Sequence, residues 1–142
     1  MFINNFDPIA ISIFSFDLRW YSLSYVLGIL LGWSYIKIRF IPSEIEKKKF
    51  DNYITLLIIG LIVGGRIGYV LIYNLDYYIK NLIEVFFIWE GGMSFHGGVV
   101  GIIIVTYLFS QTNTKKTFKI LDLVSLAAPI GIFLGRIANF IN

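Results

Sequence analysis

The chain has 142 residues, of which 57% are apolar and only 15% are charged, and its mean hydropathy is +0.76. Soluble domains are about 45–50% apolar and about 25% charged, so this composition is typical of an integral membrane protein. No cysteine and a single histidine exclude a disulfide framework and argue against a zinc site. The net charge is only +3, and the lysines form short clusters beside apolar runs. We therefore expect no nucleic-acid partner, no metal and no other cofactor.

Four apolar stretches predict membrane helices, because about 20 residues cross the hydrocarbon core. Before them, residues 9–16 alternate in polarity and favour a short strand or an interfacial segment. A further apolar piece, residues 82–89, is too short to span and is expected to be re-entrant or interfacial. The helices are expected at residues 20–40, 53–73, 96–110 and 120–141. The sequence thus predicts an all-α polytopic transmembrane helical bundle, a single membrane domain over residues 1–142.

The distribution of basic residues predicts the orientation in the membrane. With four crossings, Arg19 and Lys80 lie on one side. The opposite side holds Lys37, Arg39, Lys47, Lys48, Lys49, Lys115, Lys116 and Lys119. The positive-inside rule therefore places the N-terminus outside a bacterial inner membrane and the loops 41–51 and 111–119 in the cytoplasm.

Each predicted helix contains two glycines four residues apart. Small residues at this spacing let membrane helices approach closely. The pairs are Gly28/Gly32, Gly64/Gly68, Gly97/Gly101 and Gly131/Gly135. One pair in every helix predicts close helix packing, which is the structural reading of these glycines.

Two arginines, Arg66 and Arg136, lie inside apolar helices, each in a Gly-Arg-Ile context. A central arginine costs about 2.5–3.5 kcal/mol on insertion scales, so such residues usually face a cavity and mark function. At 1.5 Å per residue, both lie about 10 Å inside the outer ends of their helices. Arginine binds phosphate with a planar fork of donors, which favours a phospholipid headgroup. The structural alternative is a bond to another helix or to backbone carbonyls.

The only histidine, His96, lies in a glycine-rich stretch, residues 89–101, at the start of an apolar run. Histidine is the side chain that most readily gains or loses a proton near neutrality. The structural alternative is a glycine-rich turn in which the imidazole bonds the backbone. Because His96 begins its helix at the outer face, it is expected at the depth of Arg66 and Arg136.

Further residues are expected near this depth. Asn139 lies one turn from Arg136 and is a candidate to orient a ligand. Tyr21 and Tyr69 are among these residues, although most tyrosines of the chain are more typical of an aromatic belt or of packing than of catalysis. Glu90 is a candidate to orient or deprotonate His96, although loop acids are commonly solvated.

Three motifs in the sequence are distinctive when taken together. The most specific runs Glu-Gly-Gly-Met-Ser-Phe-His-Gly-Gly over residues 90–98, and includes Gly97 and Gly98. The others are Gly-Gly-Arg-Ile-Gly-Tyr over residues 64–69 and Gly-Arg-Ile-Ala-Asn-Phe-Ile-Asn over residues 135–142. With these motifs the sequence resembles the bacterial prolipoprotein diacylglyceryl transferase family. Phe6-Asp7-Pro8 and Trp20-Tyr21 also fit, so the resemblance covers essentially the whole chain.

The resemblance implies a transferase of lipoprotein biosynthesis. The family moves a diacylglyceryl group from phosphatidylglycerol to the lipobox cysteine in the signal peptide of a preprolipoprotein. A thioether forms and glycerol-1-phosphate leaves. His96, Arg136, Asn139 and Tyr21 match positions that are important in the family. On this reading His96 and Arg136 are catalytic, and Arg136, Asn139, Tyr21 and Arg66 bind the lipid.

The family extends beyond residue 142, where its second essential arginine and a partner acid lie. The chain is therefore expected to be an N-terminal portion. Two other readings stay open at this point. A truncated, inactive scaffold fits the four glycine pairs equally well. An anion transporter lined by Arg66 and Arg136 requires polar residues through the full membrane depth, whereas the cytoplasmic halves of the helices are apolar.

Overall fold

The computed structural model describes residues 9–13 and 16–141, and it is all-α apart from one N-terminal hairpin. The two strands are β1 (Ile9–Ile13) and β2 (Phe16–Arg19). The helices are α1 (Trp20–Arg39), α2 (Glu44–Tyr73), α3 (Leu75–Lys80), α4 (Phe95–Phe109) and α5 (Thr114–Ile141), with 3₁₀ turns at Leu82–Phe86 and Ile88–Glu90. The chain divides into two compact units, one formed by residues 1–44 and 122–142 and the other by residues 45–121.

In the first unit, β1 and β2 pair antiparallel, with Ile11 opposite Leu18, and β2 runs directly into α1. The backbones of α1 and α5 come close together in this unit. A Cβ on Gly28 would lie 2.9 Å from the Cα of Gly131, and one on Gly32 would lie 3.0 Å from the Cβ of Ala127. The expected role of the Gly28/Gly32 pair in close packing is confirmed.

In the second unit, α2 packs on α4 through glycine backbones. A Cβ on Gly64 would lie 2.8 Å from the Cα of Gly101, and one on Gly68 would lie 2.7 Å from the Cα of Gly97. Further along the same pair of helices, the hydroxyls of Tyr53 and Thr106 are 2.8 Å apart in a fully buried contact. Both glycine pairs of this unit therefore form a close helix–helix contact, as their spacing predicts.

Two helices begin earlier than their hydropathy indicates. α2 starts at Glu44 and not near residue 53, and α5 starts at Thr114 and not near residue 120. The added turns contain lysine and glutamate, which are good helix formers although they are not apolar. At α5, the carboxamide oxygen of Asn113 accepts a hydrogen bond from the backbone N–H of Lys116 at 3.1 Å, so it caps the helix.

Of the described helices, two meet the length and hydropathy expected of a membrane span, and α1 is not one of them. Residues 46–73 and 114–141 are long and apolar enough to cross a bilayer, while α4, with 15 residues, is apolar but shorter. Residues 82–90, between α3 and α4, form two 3₁₀ turns with exposed apolar side chains such as Phe86 and Trp89. This agrees with the expectation that the piece does not span the membrane by itself.

Candidate functional site

The segment that leads into α4 is attached to one turn of α2. The backbone N–H of Ser94 donates to the carbonyl of Gly65 at 2.9 Å. The hydroxyl of Ser94 accepts from the N–H of Gly97 at 3.2 Å, so Ser94 is the N-cap of α4. Since His96 is the second residue of α4, these two bonds fix the backbone on which the imidazole is carried.

Arg66 lies on the same turn of α2 and is only 4% exposed. Its Nε donates to the carbonyl of Val85 at 2.9 Å, and one terminal nitrogen donates to the carbonyl of Glu84 at 2.7 Å. The other terminal nitrogen donates to the carbonyls of Gly91 and, at 3.3 Å, Gly92. The guanidinium has five N–H donors, and four carbonyl oxygens surround it.

The buried contacts of Arg66 extend to an aromatic ring. The Cζ atom lies 5.3 Å from the centre of the Tyr78 ring, and Tyr78 itself is buried. A desolvated cation–π contact of this kind contributes about 2 kcal/mol. Hydrogen bonds from a charged donor contribute about 1.5–3 kcal/mol each, so the carbonyls account for most of what holds the guanidinium.

Two glycines give the loop its path around Arg66. Gly91 and Gly92 have φ of +86° and +79°, the left-handed region that glycine adopts without steric cost. Gly92 also lies directly against the ring of Tyr69, where a Cβ would collide with the ring. Tyr69 is half-buried, and its hydroxyl accepts from the side-chain amide of Asn74 at 2.7 Å. The ring of Tyr69 therefore packs against the loop at Gly92.

His96 is exposed at one end of an apolar cavity of about 400 Å³ beside the α2–α4 contact. Val100 and Ile104 continue its wall on α4, and Ile67 and Leu71 form the wall on α2. Backbone of the glycines, Gly97 among them, forms part of the lining. Gly98 is buried against Leu61, where a Cβ would lie 2.9 Å from Cδ1. The cavity thus combines apolar walls with one imidazole, which can accept a proton.

The other expected site residues belong to the first unit. Arg136 and Asn139 are exposed on the last turns of α5, and Ala138 between them is buried. The side chain of Arg136 makes no hydrogen bond or ion pair to another described residue of this unit. Tyr21 is 39% exposed on the first turn of α1, with its hydroxyl 3.0 Å from that of Tyr25.

The structure thus brings Arg66, Tyr69, Gly97, Gly98 and His96 into one unit, with Tyr21, Arg136 and Asn139 in the other. The convergence of His96 and Arg136 at one depth stays a prediction. The side chain of Glu90 lies outside what the structure describes, as do Phe6–Pro8 and Asn142 of the motifs. Within the described ranges, no group of three His, Cys, Asp or Glu side chains gathers as metal ligands.

Sequence reasoning missed Ser94 and Tyr78. Ser94 carried a readable signal, because serine directly before an apolar helix is a common N-cap. Tyr78 carried none, since its role depends on the position of Arg66, twelve residues before it. The backbone acceptors of Arg66 are likewise invisible in a pattern of side chains.

The sequence is similar to one group of proteins along its whole length. Residues 8–142 match the family model described as prolipoprotein diacylglyceryl transferase. The curated phosphatidylglycerol–prolipoprotein diacylglyceryl transferase of Rickettsia typhi is 54% identical over 144 residues, covering 100% of this chain and 56% of that protein. The enzyme of the same name from Rhodopseudomonas palustris is 45% identical, covering 96% of this chain and 50% of that protein. The chain spans about half the length of the curated relatives it matches. It belongs to the prolipoprotein diacylglyceryl transferase family.

Proposed function

We propose that the protein transfers a diacylglyceryl group from phosphatidylglycerol to the cysteine thiol of a prolipoprotein. The observation that carries this proposal is the exposed imidazole of His96 at the end of an apolar cavity. Apolar walls suit a substrate with hydrocarbon chains, and a proton acceptor at the end of the cavity suits a thiol that must be deprotonated. Membership of the family and the printed names of its curated members support the same reaction.

In the proposed step, His96 accepts the proton of the cysteine thiol, because the thiolate is the nucleophile. The sulfur attacks the glycerol carbon of the diacylglyceryl group. A C–S bond forms, and the C–O bond to phosphate breaks. The electron pair of that bond leaves with glycerol-1-phosphate. The nucleophile and the leaving group both come from the substrates, so the step needs no cofactor.

The departing phosphate requires positive charge, and Arg136 is the proposed donor. Its side chain is exposed, and no described partner in its unit occupies the guanidinium. A forked guanidinium stabilises charge that develops on a phosphate oxygen. Asn139, also exposed, and the hydroxyl of Tyr21 are proposed to bind the polar part of phosphatidylglycerol.

The remaining residues are proposed to support this site. Gly97 and Gly98 let the first turn of α4 approach α2, and Tyr69 supports the loop before His96. Glu90 is proposed to orient the imidazole. We propose a bacterial inner-membrane protein with its N-terminus in the periplasm and the site open to the outer leaflet, as the distribution of lysines predicts.

The alternative of an anion path lined by arginines loses support at Arg66. Its N–H groups bond backbone carbonyls, and the side chain is almost fully buried. An arginine in this state has little donor capacity left for a passing anion.

The first experiment is a transfer assay in membranes, with phosphatidylglycerol and a prolipoprotein peptide whose lipobox contains cysteine. The 142-residue chain is tested alone and together with any sequence that follows it in its gene. We expect the thioether product when the longer protein is present. Absence of product in both cases would favour the scaffold reading.

His96→Gln tests the proton acceptor. Glutamine has a hydrogen-bonding amide similar in size to the imidazole but does not accept the proton of the thiol. The rate of transfer should therefore fall by about 10²–10⁴-fold. The measurement is the rate of thioether formation at equal amounts of membrane-inserted protein. Full activity of the variant would refute the assignment of His96 as the base.

A further inference from the structure

We infer that Arg66 is a positioning residue, which holds the loop before α4 and thereby sets the place of His96. This differs from the lipid-binding role that the sequence alone favours. The inference rests on the proposed function, in which His96 accepts the proton of the thiol. Its starting point is the set of described acceptors around the guanidinium, which are backbone carbonyls of residues 84–92.

The acceptors lie at two separate places in the chain. Glu84 and Val85 belong to the first 3₁₀ turn, and Gly91 and Gly92 follow the second. One side chain therefore joins the beginning and the end of the loop. Because the guanidinium is planar and rigid, its fork fixes the spacing of these two places as well as their distance from α2.

From the end of the loop, the connection to His96 is short. Gly92 is followed by Met93 and then by Ser94, which bonds the carbonyl of Gly65 and caps α4. Gly65 is the neighbour of Arg66 on α2. One turn of α2 thus bonds both the loop, through Arg66, and the N-cap of α4, through Gly65.

Burial separates this role from direct lipid binding. Arg66 is 4% exposed and the ring of Tyr78 covers part of the guanidinium, whereas His96 is exposed at the cavity. Among the side chains that line the cavity are Ile67 and Leu71 of α2, but not Arg66. Arg66 therefore contacts the loop before His96 and does not line the cavity.

The charge of Glu84 is not what holds Arg66. The bond to Glu84 is made with its carbonyl oxygen, while its carboxylate Oε2 accepts from the hydroxyl of Tyr77 at 2.5 Å. A substitution that neutralises the carboxylate of Glu84 should therefore leave the hydrogen bonds between Arg66 and the loop carbonyls in place. This gives a control on the same residue.

The test compares Arg66→Met and Arg66→Lys in the full protein as its gene encodes it. Spin labels on cysteines at Phe86 and Ile59, both exposed, report the distance between the loop and α2 by electron paramagnetic resonance. Lysine keeps the charge but offers a single ammonium, which cannot span both pairs of carbonyls. We expect both variants to broaden the distance distribution.

The kinetic expectation follows from the displaced histidine. Misplacement of a catalytic group by about 1 Å can reduce a rate by about 10²-fold, so kcat should fall at least about tenfold in both variants. The KM for phosphatidylglycerol should change by less than about twofold, since no contact with the lipid is lost. Lys80→Met, which removes an exposed cation of the neighbouring helix, and Glu84→Gln should change neither quantity.

Two results would overturn the inference. One is a raised KM for the lipid with an unchanged distance distribution, which would mean that Arg66 binds the headgroup. The other is recovery of kcat in Arg66→Lys while the distribution stays broad, which would mean that charge alone matters. If neither Arg66 variant inserts stably, Tyr78→Leu keeps all the carbonyl bonds and should give a smaller change in the same direction. An unchanged distance distribution in Tyr78→Leu would then count against the role of Arg66 in holding the loop.

The distance measurement does not depend on the transfer reaction. If the protein proves to catalyse a different reaction, the broadening still shows whether Arg66 holds the loop. If transfer is confirmed but the loop stays ordered in both Arg66 variants, the proposed function stands and the positioning role fails.

Discussion

The segments Gly65-Arg66-Ile67 in α2 and Gly135-Arg136-Ile137 in α5 have the same sequence but different surroundings. Arg66 is buried, and backbone carbonyls of a loop 18–26 residues further along the chain accept its N–H groups. Arg136 is exposed, without a hydrogen-bonding partner among the described residues of its unit. Even the preceding glycines differ: a Cβ on Gly65 would lie 2.7 Å from Cε of Met93, whereas one on Gly135 meets no atom of the described residues within 4 Å.

This difference teaches that an arginine inside an apolar helix has two distinct uses. It can supply donors to carbonyl groups of its own fold, or it can keep them for a ligand. The general rule that intramembrane charges mark function does not separate the two. Which use an arginine has depends on whether its guanidinium can reach a loop whose carbonyl groups are not already paired in a helix or sheet.

The largest expected difference between the two segments is in catalysis. Arg136→Met should lower kcat/KM for transfer by about 10²–10³-fold, because a donor to the developing phosphate charge is lost. Arg136→Lys should recover part of this loss, since lysine also binds phosphate as a point charge. The measurement is transfer kinetics over a range of phosphatidylglycerol concentrations. If Arg66→Lys and Arg136→Lys recovered the same fraction of the activity lost in the methionine variants, the proposed difference between the two arginines would be contradicted.

The next largest effect is on stability. Gly64→Ala places a methyl group against backbone of Gly97 and Gly101, neither of which can move aside without separating α2 from α4. Overpacking of this kind costs about 1–3 kcal/mol. Thermal unfolding in detergent should show a lower Tm for Gly64→Ala than for the parent. Gly131→Ala is the matched control in the other unit, since a Cβ there meets nothing within 4 Å in the described part of the chain.

The smallest effect concerns the glycines directly before the two arginines. Gly135→Ala should stabilise the protein by up to about 1 kcal/mol, because alanine has the higher helix propensity and the position is open. Gly65→Ala gains the same propensity but displaces the end of Met93, so its net change should be smaller. Unfolding midpoints of the two variants, measured side by side, check the order. The reverse order would mean that Gly135 is covered in the folded protein.

Much of the fold could be predicted from hydropathy, because the apolar residues of a membrane helix are continuous. The first residue of α1 and the non-spanning character of residues 82–90 agree with the sequence prediction. The early starts of α2 and α5 were missed, since hydropathy marks the part of a helix in hydrocarbon and not its charged extension. The cap at Asn113 was a local signal for α5 that hydropathy ignores.

The candidate site could be predicted only in part. His96 and Arg136 stand out by residue type in an apolar setting, and both are exposed on their helices. The surroundings of Arg66 could not be predicted, because carbonyl groups belong to every residue and leave no pattern. Which carbonyls are available depends on a loop conformation that needs positive φ at Gly91 and Gly92.

The order in which the partners of Arg66 are synthesised has a consequence for membrane insertion. When Arg66 of α2 leaves the ribosome, its carbonyl acceptors at residues 84–92 follow 18–26 residues behind it and are still enclosed in the exit tunnel. During that interval the helix carries an arginine that costs about 2.5–3.5 kcal/mol in hydrocarbon. Release of α2 into lipid therefore becomes more favourable once the loop and the start of α4 have emerged, because the guanidinium then finds its carbonyl partners.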